Sequence, residues 1–336
     1  MSAMEFLKSF TSFLTILNES IKLIPRNGKL MAFVAISSLA LSSTIFLLFS
    51  YSTQYVITDY TNNIMKTFMP DLASFNATDP NPIKPEDALL LADKMNMLTR
   101  EYFARLLAIQ IPFLFTLVVI SSFTSISTIL VSSVSYTSKK SSLNEVFSIV
   151  LNIWRGPMVT VLYVSALAVG YCLFVITLAA LLFVYPSVIT YWLAISVAIL
   201  AVFLYLYLLV SWFMAVVASV LEEGCYGFEA LVRGENLVKG KKFCGFLINV
   251  CFNVVGLIVF WGCKKMVFLG DNKGFPRMML YGVVSVGVSC LGKIFVDVAY
   301  TVLYLQCKVQ NGEEIELRRS VHYSKLPTVQ LDKEMA

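Results

Sequence analysis

The stretch Leu221–Lys242 reads LEEGCYGFEALVRGENLVKGKK, and the fold turns on how it is read. It is a polar island between two long apolar runs. The run that ends at Val220 carries no charge, and from Phe243 the chain turns apolar again. The island is too short for a domain and too patterned for a random loop. Cruder versions of it stand near Ile24 and Ile153. FLTILNESIKLIPRNGKLMAF, LNEVFSIVLNIWRGPMVTVL and FEALVRGENLVKGKKFCGFL each pass from an amphipathic pattern through a basic, Gly-containing stop into apolar sequence. Three such stretches before three apolar hairpins predict one unit used three times.

Composition sets the solvent. The chain has 336 residues, of which 58% are hydrophobic and only 14% charged, against roughly 25% charged in soluble domains. The deficit comes from long, nearly uncharged windows, which is the signature of spanning segments. In lipid such a window must satisfy its own backbone, so it reads as helix. The expected fold is therefore an all-α integral membrane protein. It has six transmembrane helices as three helical hairpins, each preceded by a cytosolic amphipathic helix. The expected spans are 30–50, 106–131, 158–184, 188–220, 243–263 and 278–307.

Within the first unit, Phe6, Phe10, Phe13, Leu14, Leu17, Ile21 and Ile24 recur at helical steps. They predict an amphipathic helix that lies in the membrane interface, packs against the protein's own bundle, or does both, and that ends at Pro25-Arg26-Asn27-Gly28. Lys22, Arg26 and Lys29 place the start of the first span on the cytosolic side. Residues 51–105 read as one long polar loop, lumenal or extracellular, with Pro82 and Pro85 separating two weak helical stretches. Asn76 in Asn76-Ala-Thr78 is a candidate N-glycosylation site there. Asn18-Glu-Ser20 also fits the sequon but falls on the cytosolic side. Segment two is rich in hydroxyls (Ser121, Ser122, Thr124, Ser125, Ser127, Thr128), which suit close helix packing, with a polar pore lining as the alternative. Segments three and four exceed the usual span length, so they tilt or protrude. The linker basics Lys264, Lys265, Lys273 and Arg277 run against this topology. Residues 308–336, with Glu313, Glu314, Arg318 and Arg319, read as a flexible cytosolic tail.

In the island, Glu222 and Glu223 mark the exit from the membrane and Gly224 and Gly227 bend the chain. Phe228, Leu231 and Val232, continued by Asn236 and Leu237, share one side, and Glu229–Arg233 has the favourable i, i+4 spacing. Lys239, Lys241 and Lys242 are placed to meet anionic lipid headgroups. The island and the stop at Arg26–Lys29 resemble the six-span membrane domain of the glycerophosphoryl diester phosphodiesterase membrane-domain family. They resemble more closely a group of uncharacterised plant six-span membrane proteins. The matching positions are Glu222, Gly227, Ala230, Leu231, Arg233, Leu237, Lys239 and Gly240. Gly234 stands where that pattern commonly has serine. The phosphodiesterase barrel is a separate domain with no room in this chain, so the resemblance implies a membrane fold without that activity.

Two buried charges complete the candidate sites. Lys293 and Asp297 lie inside segment six at i, i+4, and Asn249 and Asn253 lie at the same spacing in segment five. Antiparallel packing predicts that these four residues face each other, as a self-neutralising pair that fixes helix rotation or as an ion or substrate path. The seven cysteines lie mostly in or beside apolar segments without a CxxC, and His322 in the tail is the single histidine. No catalytic, cofactor or metal site is expected. Cys225, at a membrane end, is a candidate for palmitoylation. Glu222 and Glu223 point about 100° apart on a helix and make a poor acid–base pair. Nucleic acid is excluded as a partner by the lack of a basic stripe with stacking aromatics. The expected partner is the bilayer, in the endomembrane system (endoplasmic reticulum) or plasma membrane, with both termini cytosolic. A non-enzymatic scaffold or membrane-organising protein is the expected role, and a transporter or channel using Lys293 and Asp297 is the alternative.

Overall fold

The computed structural model describes residues 3–77, 85–137, 143–183, 187–268 and 275–313. Among them every regular element is helical. In chain order these are α1 (Ala3–Arg26), α2 (Gly28–Ala77), α3 (Pro85–Tyr136), α4 (Leu143–Ile153), α5 (Arg155–Phe183), α6 (Val188–Leu221), α7 (Phe228–Val238), α8 (Lys242–Phe268) and α9 (Phe275–Gln310). Six of them, α2, α3, α5, α6, α8 and α9, are long and apolar enough to cross a membrane. The chain is an integral membrane protein, and helix is the form in which each span closes its own hydrogen bonds.

The order repeats as one shorter helix followed by two spanning ones. The junctions are tight: Asn27 alone separates α1 from α2, Trp154 alone separates α4 from α5, and Lys239–Lys241 separate α7 from α8. Main-chain bonds continue through the first two, with the Met31 N–H 3.0 Å from the Asn27 carbonyl and the Trp154 N–H 3.1 Å from the Val150 carbonyl. These stops are therefore bends in a nearly continuous helix. Pro25 sits in the last turn of α1, where helix ends tolerate it.

Residues 51–105 depart from the expected loop. α2 runs to Ala77 over 50 residues, about 75 Å of helix, and α3 starts at Pro85. Pro82 and Thr78 lie outside the described residues. Asn76 lies in the last turn of α2, and its side chain is also outside them. The extended helices hold each other. Phe49 packs on Phe113 at 5.5 Å and Tyr60 on Tyr102 at 5.1 Å. The Tyr102 hydroxyl donates to Asp59 at 2.7 Å, and Arg105 lies 3.7 Å from the same carboxylate. This antiparallel pairing sustains helix through sequence that is polar but still periodic. Pro85 suits the first position of a helix, and Pro112 sits inside α3 without ending it.

The chain divides into two compact units: Met1–Ser38, Ser121–Gly262 and Val288–Ala336 form one, Leu39–Ile120 and Cys263–Gly287 the other. In the first, buried side chains crowd into one end of the spans. They include Ile126–Ser135 of α3 (Ser127 being half-buried), Val210–Leu221 of α6 (Phe213 and Val216 being half-buried), Asp297–Leu305 of α9, and Leu30 and Met31 at the start of α2. The other half of α6 is uncovered, with Ile189 80% and Leu200 69% exposed. Lipid solvates such surface as well as a core would, so only the end that leaves the lipid needs a packed interior.

Candidate functional site

The packed end is built on the overhang of α6. Asn249 of α8 donates to the Leu206 carbonyl at 2.9 Å, and a Cβ on Gly245 would reach Val210. α8 therefore runs antiparallel to α6 and begins near Ser211. The residues from Trp212 to Leu221 continue past that level by about 15 Å. The extra length of this segment is an overhang past the start of α8. What covers the overhang is α7. At Gly227 the backbone takes φ 60°, a conformation that side chains resist, and its N–H donates to the Thr160 hydroxyl at 2.9 Å. The reversal lays Ala230, Gly234, Leu237 and Val238 against the bundle, all buried. A Cβ at Gly234 would stand 2.7 Å from the Ala215 nitrogen, so the serine of the resembling pattern has no room here.

Glu222 terminates the overhang and gathers three elements. Its Oε2 accepts from Arg233 Nε at 3.0 Å. Its Oε1 accepts from Arg233 Nη2 at 3.1 Å, from the Tyr304 hydroxyl at 2.5 Å and from Lys308 Nζ at 3.3 Å. Arg233 also pairs with Glu313. Two carboxylates and two cations thus close a neutral network across the ends of α6, α7 and α9. Burial pushes the Glu222 carboxyl up, but hydrogen bonds from Arg233 and Tyr304 and the charge of Lys308 outweigh it and hold it below its ordinary value. The Glu222 bond raises the already basic Arg233 further.

Arg233 was expected to pair with Glu229. It pairs with Glu222 and Glu313 instead, and Glu229 is exposed. The i, i+4 rule reads one helix, whereas the Gly227 reversal brings in another. Glu313 also draws the first tail residues into the fold. Glu314, Arg318, Arg319 and His322 lie outside the described residues. A second knot joins Glu235 to Ser211 and Lys242, with Lys242 5.2 Å over the Tyr207 ring. Lys239 and Gly240 form the turn between α7 and α8. Cys225 is buried, and burial pushes its thiol up to about 11, which disfavours acylation in this state. Ser20 is fully buried and donates to the Ile16 carbonyl, whereas Asn18 itself is exposed.

The intramembrane residues are divided between two neighbours. Lys293 and Asp297 form an ion pair at 3.4 Å. Their other partners come from α3. Ser125 donates to Asp297 at 2.8 Å, Lys293 reaches the Ser121 carbonyl at 3.0 Å, and Lys293 also bonds Ser125. Asn249 faces elsewhere, with its Oδ1 2.9 Å from the Tyr300 hydroxyl, and Asn253 donates to the Asn249 carbonyl at 2.8 Å. The expected meeting of all four is replaced by two clusters that share α9 but close on different neighbours, Lys293 and Asp297 on α3 and Asn249 on Tyr300 further along. Helix depth was the basis for matching them, and depth alone does not decide which neighbouring helix a side chain meets. Among the α3 hydroxyls, Thr124 donates to Ser38 at 3.0 Å, and Ser122 and Thr128 are buried.

Tyr300, Tyr304, Lys308 and Thr160 were not singled out in the sequence. A signal existed for three of them, since Lys293, Asp297, Tyr300, Tyr304 and Lys308 recur at four- and three-residue steps along one apolar segment. Among the described residues no group of three or more His, Cys, Asp or Glu is placed to hold a metal ion. No curated protein and no solved structure matches the chain. A family model described as a domain of unknown function, DUF8558, matches residues 3–326.

Proposed function

We propose, for a chain that belongs to the DUF8558 family, a non-enzymatic role: a membrane-embedded scaffold that organises the cytosolic leaflet through its three shorter helices. One shared observation carries this reading. Each of these helices buries one side in the core and leaves apolar side chains uncovered beside it. On α1 these are Leu7, Phe10, Leu14 and Ile21, on α4 Phe147 and Leu151, and on α7 Phe228 and Val232. Phe13, Ile16 and Leu23 hold the buried side of α1, so its expected apolar face is shared between core and surface. Uncovered stripes of this kind are stable in the interfacial zone of a bilayer or against a partner. The three units, each a half-buried helix followed by a spanning hairpin, would form a collar at one leaflet. The Glu222–Arg233 network supports this by locking α7 to two spans with its acid and base groups already engaged. The basic residues Lys22, Arg26 and Lys29 favour the cytosolic side. The resemblance to the six-span membrane family agrees with a membrane fold.

Phe228→Trp in proteoliposomes tests the reading. Brominated lipid should quench the added tryptophan signal relative to the parent protein. A water-exposed emission that bromolipid leaves unchanged would sink the collar.

A transporter is the second reading, favoured by Lys293, whose side chain is 34% exposed beside an Asp297 that is 4% exposed. Proton or cation flux above empty vesicles, lost in Asp297→Asn, would establish it. Flux equal to empty vesicles would remove it.

A further inference from the structure

One groove in the first unit, of about 950 Å³, is walled by α1, α6, the Lys239–Lys241 turn and the start of α8. Its lining carries Lys8, Lys239, Lys241 and Lys242 and no carboxylate. Lys242 is engaged by Glu235 and the Tyr207 ring. Lys8, Lys239 and Lys241 form no ion pair among the described residues. Three ammonium groups without a contact ion pair among the described residues therefore line one opening, with Lys239 still within Coulombic range of Glu235. The first turn of α8 adds the positive end of its dipole at the same place.

The rest of the wall has the opposite character. Leu200, Phe203, Leu204 and Phe246 lie on span helices, and the first three are 69%, 54% and 48% exposed. Leu200 and Leu204 stand one to two turns further into α6 than Tyr207, which is beside the start of α8. A cationic mouth thus opens onto an apolar track that runs into the spanning region. An amphiphile with an anionic head and a hydrocarbon tail matches both ends, whereas a free anion would leave the apolar part uncovered.

We propose that this groove binds an anionic phospholipid, with its phosphate held by Lys8, Lys239 and Lys241 and one acyl chain laid on Leu200, Phe203, Leu204 and Phe246. The inference rests on the scaffold reading only in placing this end of the bundle at a leaflet surface. It makes the collar specific for headgroup charge, beyond general attraction of basic residues to the bilayer.

Native mass spectrometry of the full chain, exchanged into detergent with phosphatidic acid or phosphatidylcholine, tests it. The expected result is about one phosphatidic acid retained per chain in preference to phosphatidylcholine. Lys8→Gln/Lys239→Gln/Lys241→Gln should lose about 100-fold in apparent affinity, at about fivefold per charge. Lys22→Gln/Lys29→Gln, which removes exposed charge outside the groove, should retain the lipid. Phe203→Ser/Leu204→Ser should weaken phosphatidic acid, and excess inorganic phosphate should not displace it. Three outcomes overturn the proposal: equal retention by the triple variant with its thermal midpoint unchanged, equal loss in the Lys22/Lys29 control, or displacement by phosphate alone. The Phe228→Trp result is independent. A quenched tryptophan without bound phosphatidic acid removes only the groove, and bound phosphatidic acid with an unquenched tryptophan removes only the collar.

Discussion

Two charge clusters of the same unit solve the same problem in different surroundings. Lys293 and Asp297 form a single pair inside a span, completed by hydroxyl and carbonyl groups of α3. Glu222, Arg233, Lys308 and Glu313 form a four-charge network where the helices end, with Tyr304 as an added donor. Away from water each charge needs a close opposite charge, and leftover lone pairs must be met by neutral donors. At the border of water a larger network is tolerated, because its outer members keep partial hydration and lose less on burial. The spanning cluster is therefore the more fragile, and the end cluster spreads its loss over several partners.

The largest expected effect tests that fragility. Lys293→Met strands an Asp297 carboxylate that is 4% exposed and should cost about 3–5 kcal/mol, read as thermal midpoint and cellular abundance. Asp297→Asn should cost less, because Lys293 is 34% exposed and keeps the Ser121 carbonyl. The double variant should recover most of the loss. If both single variants accumulate like the parent, the pair does not hold the fold.

Gly234→Ser comes next. It places side-chain atoms against the Ala215 and Met214 backbone, where no rotamer can move away, and should cost about 1–3 kcal/mol by overpacking. An unchanged melting temperature would show that α7 can lift from α6. Glu222→Gln should cost about 2 kcal/mol, because three donors lose a charged acceptor. It also carries a pH signature. The native carboxyl titrates below its ordinary value of 4.5, so its contribution is complete above that value and is lost as pH falls through the lower native one. Acid unfolding of the parent should therefore show a component that Glu222→Gln lacks. Identical acid profiles would remove Glu222 from the stabilising network. The smallest effect belongs to Arg105→Ala in the α2–α3 extension. Its side chain is 53% exposed, so the loss should stay within about 1 kcal/mol and shrink in salt. A larger loss would mean that this exposed pair behaves like the spanning one.

Legibility followed the range of the interactions involved. Six spanning helices and the three stops near Ile24, Ile153 and Val238 are written locally, in apolar run length and in Pro and Gly placement. The helical continuation through 51–77 and 85–105 showed only as two weak stretches because its sequence is polar, and its support comes from pairing between α2 and α3, as in Asp59 with Tyr102 and Arg105. Within the candidate site, Glu222, Gly227 and Arg233 were visible as a motif, whereas the Tyr304 and Lys308 partners lie some 70 residues or more along the chain.

By itself the sequence determined that this is a helical membrane protein with six long apolar segments, because hydrophobic length and backbone satisfaction in lipid favour helix for each of them. Only the tertiary structure decided which charges meet, that the core lies at one end of the spans, and that Gly227 turns α7 back onto α6. Those outcomes depend on helix rotation and on contacts between distant segments, and a local pattern carries neither.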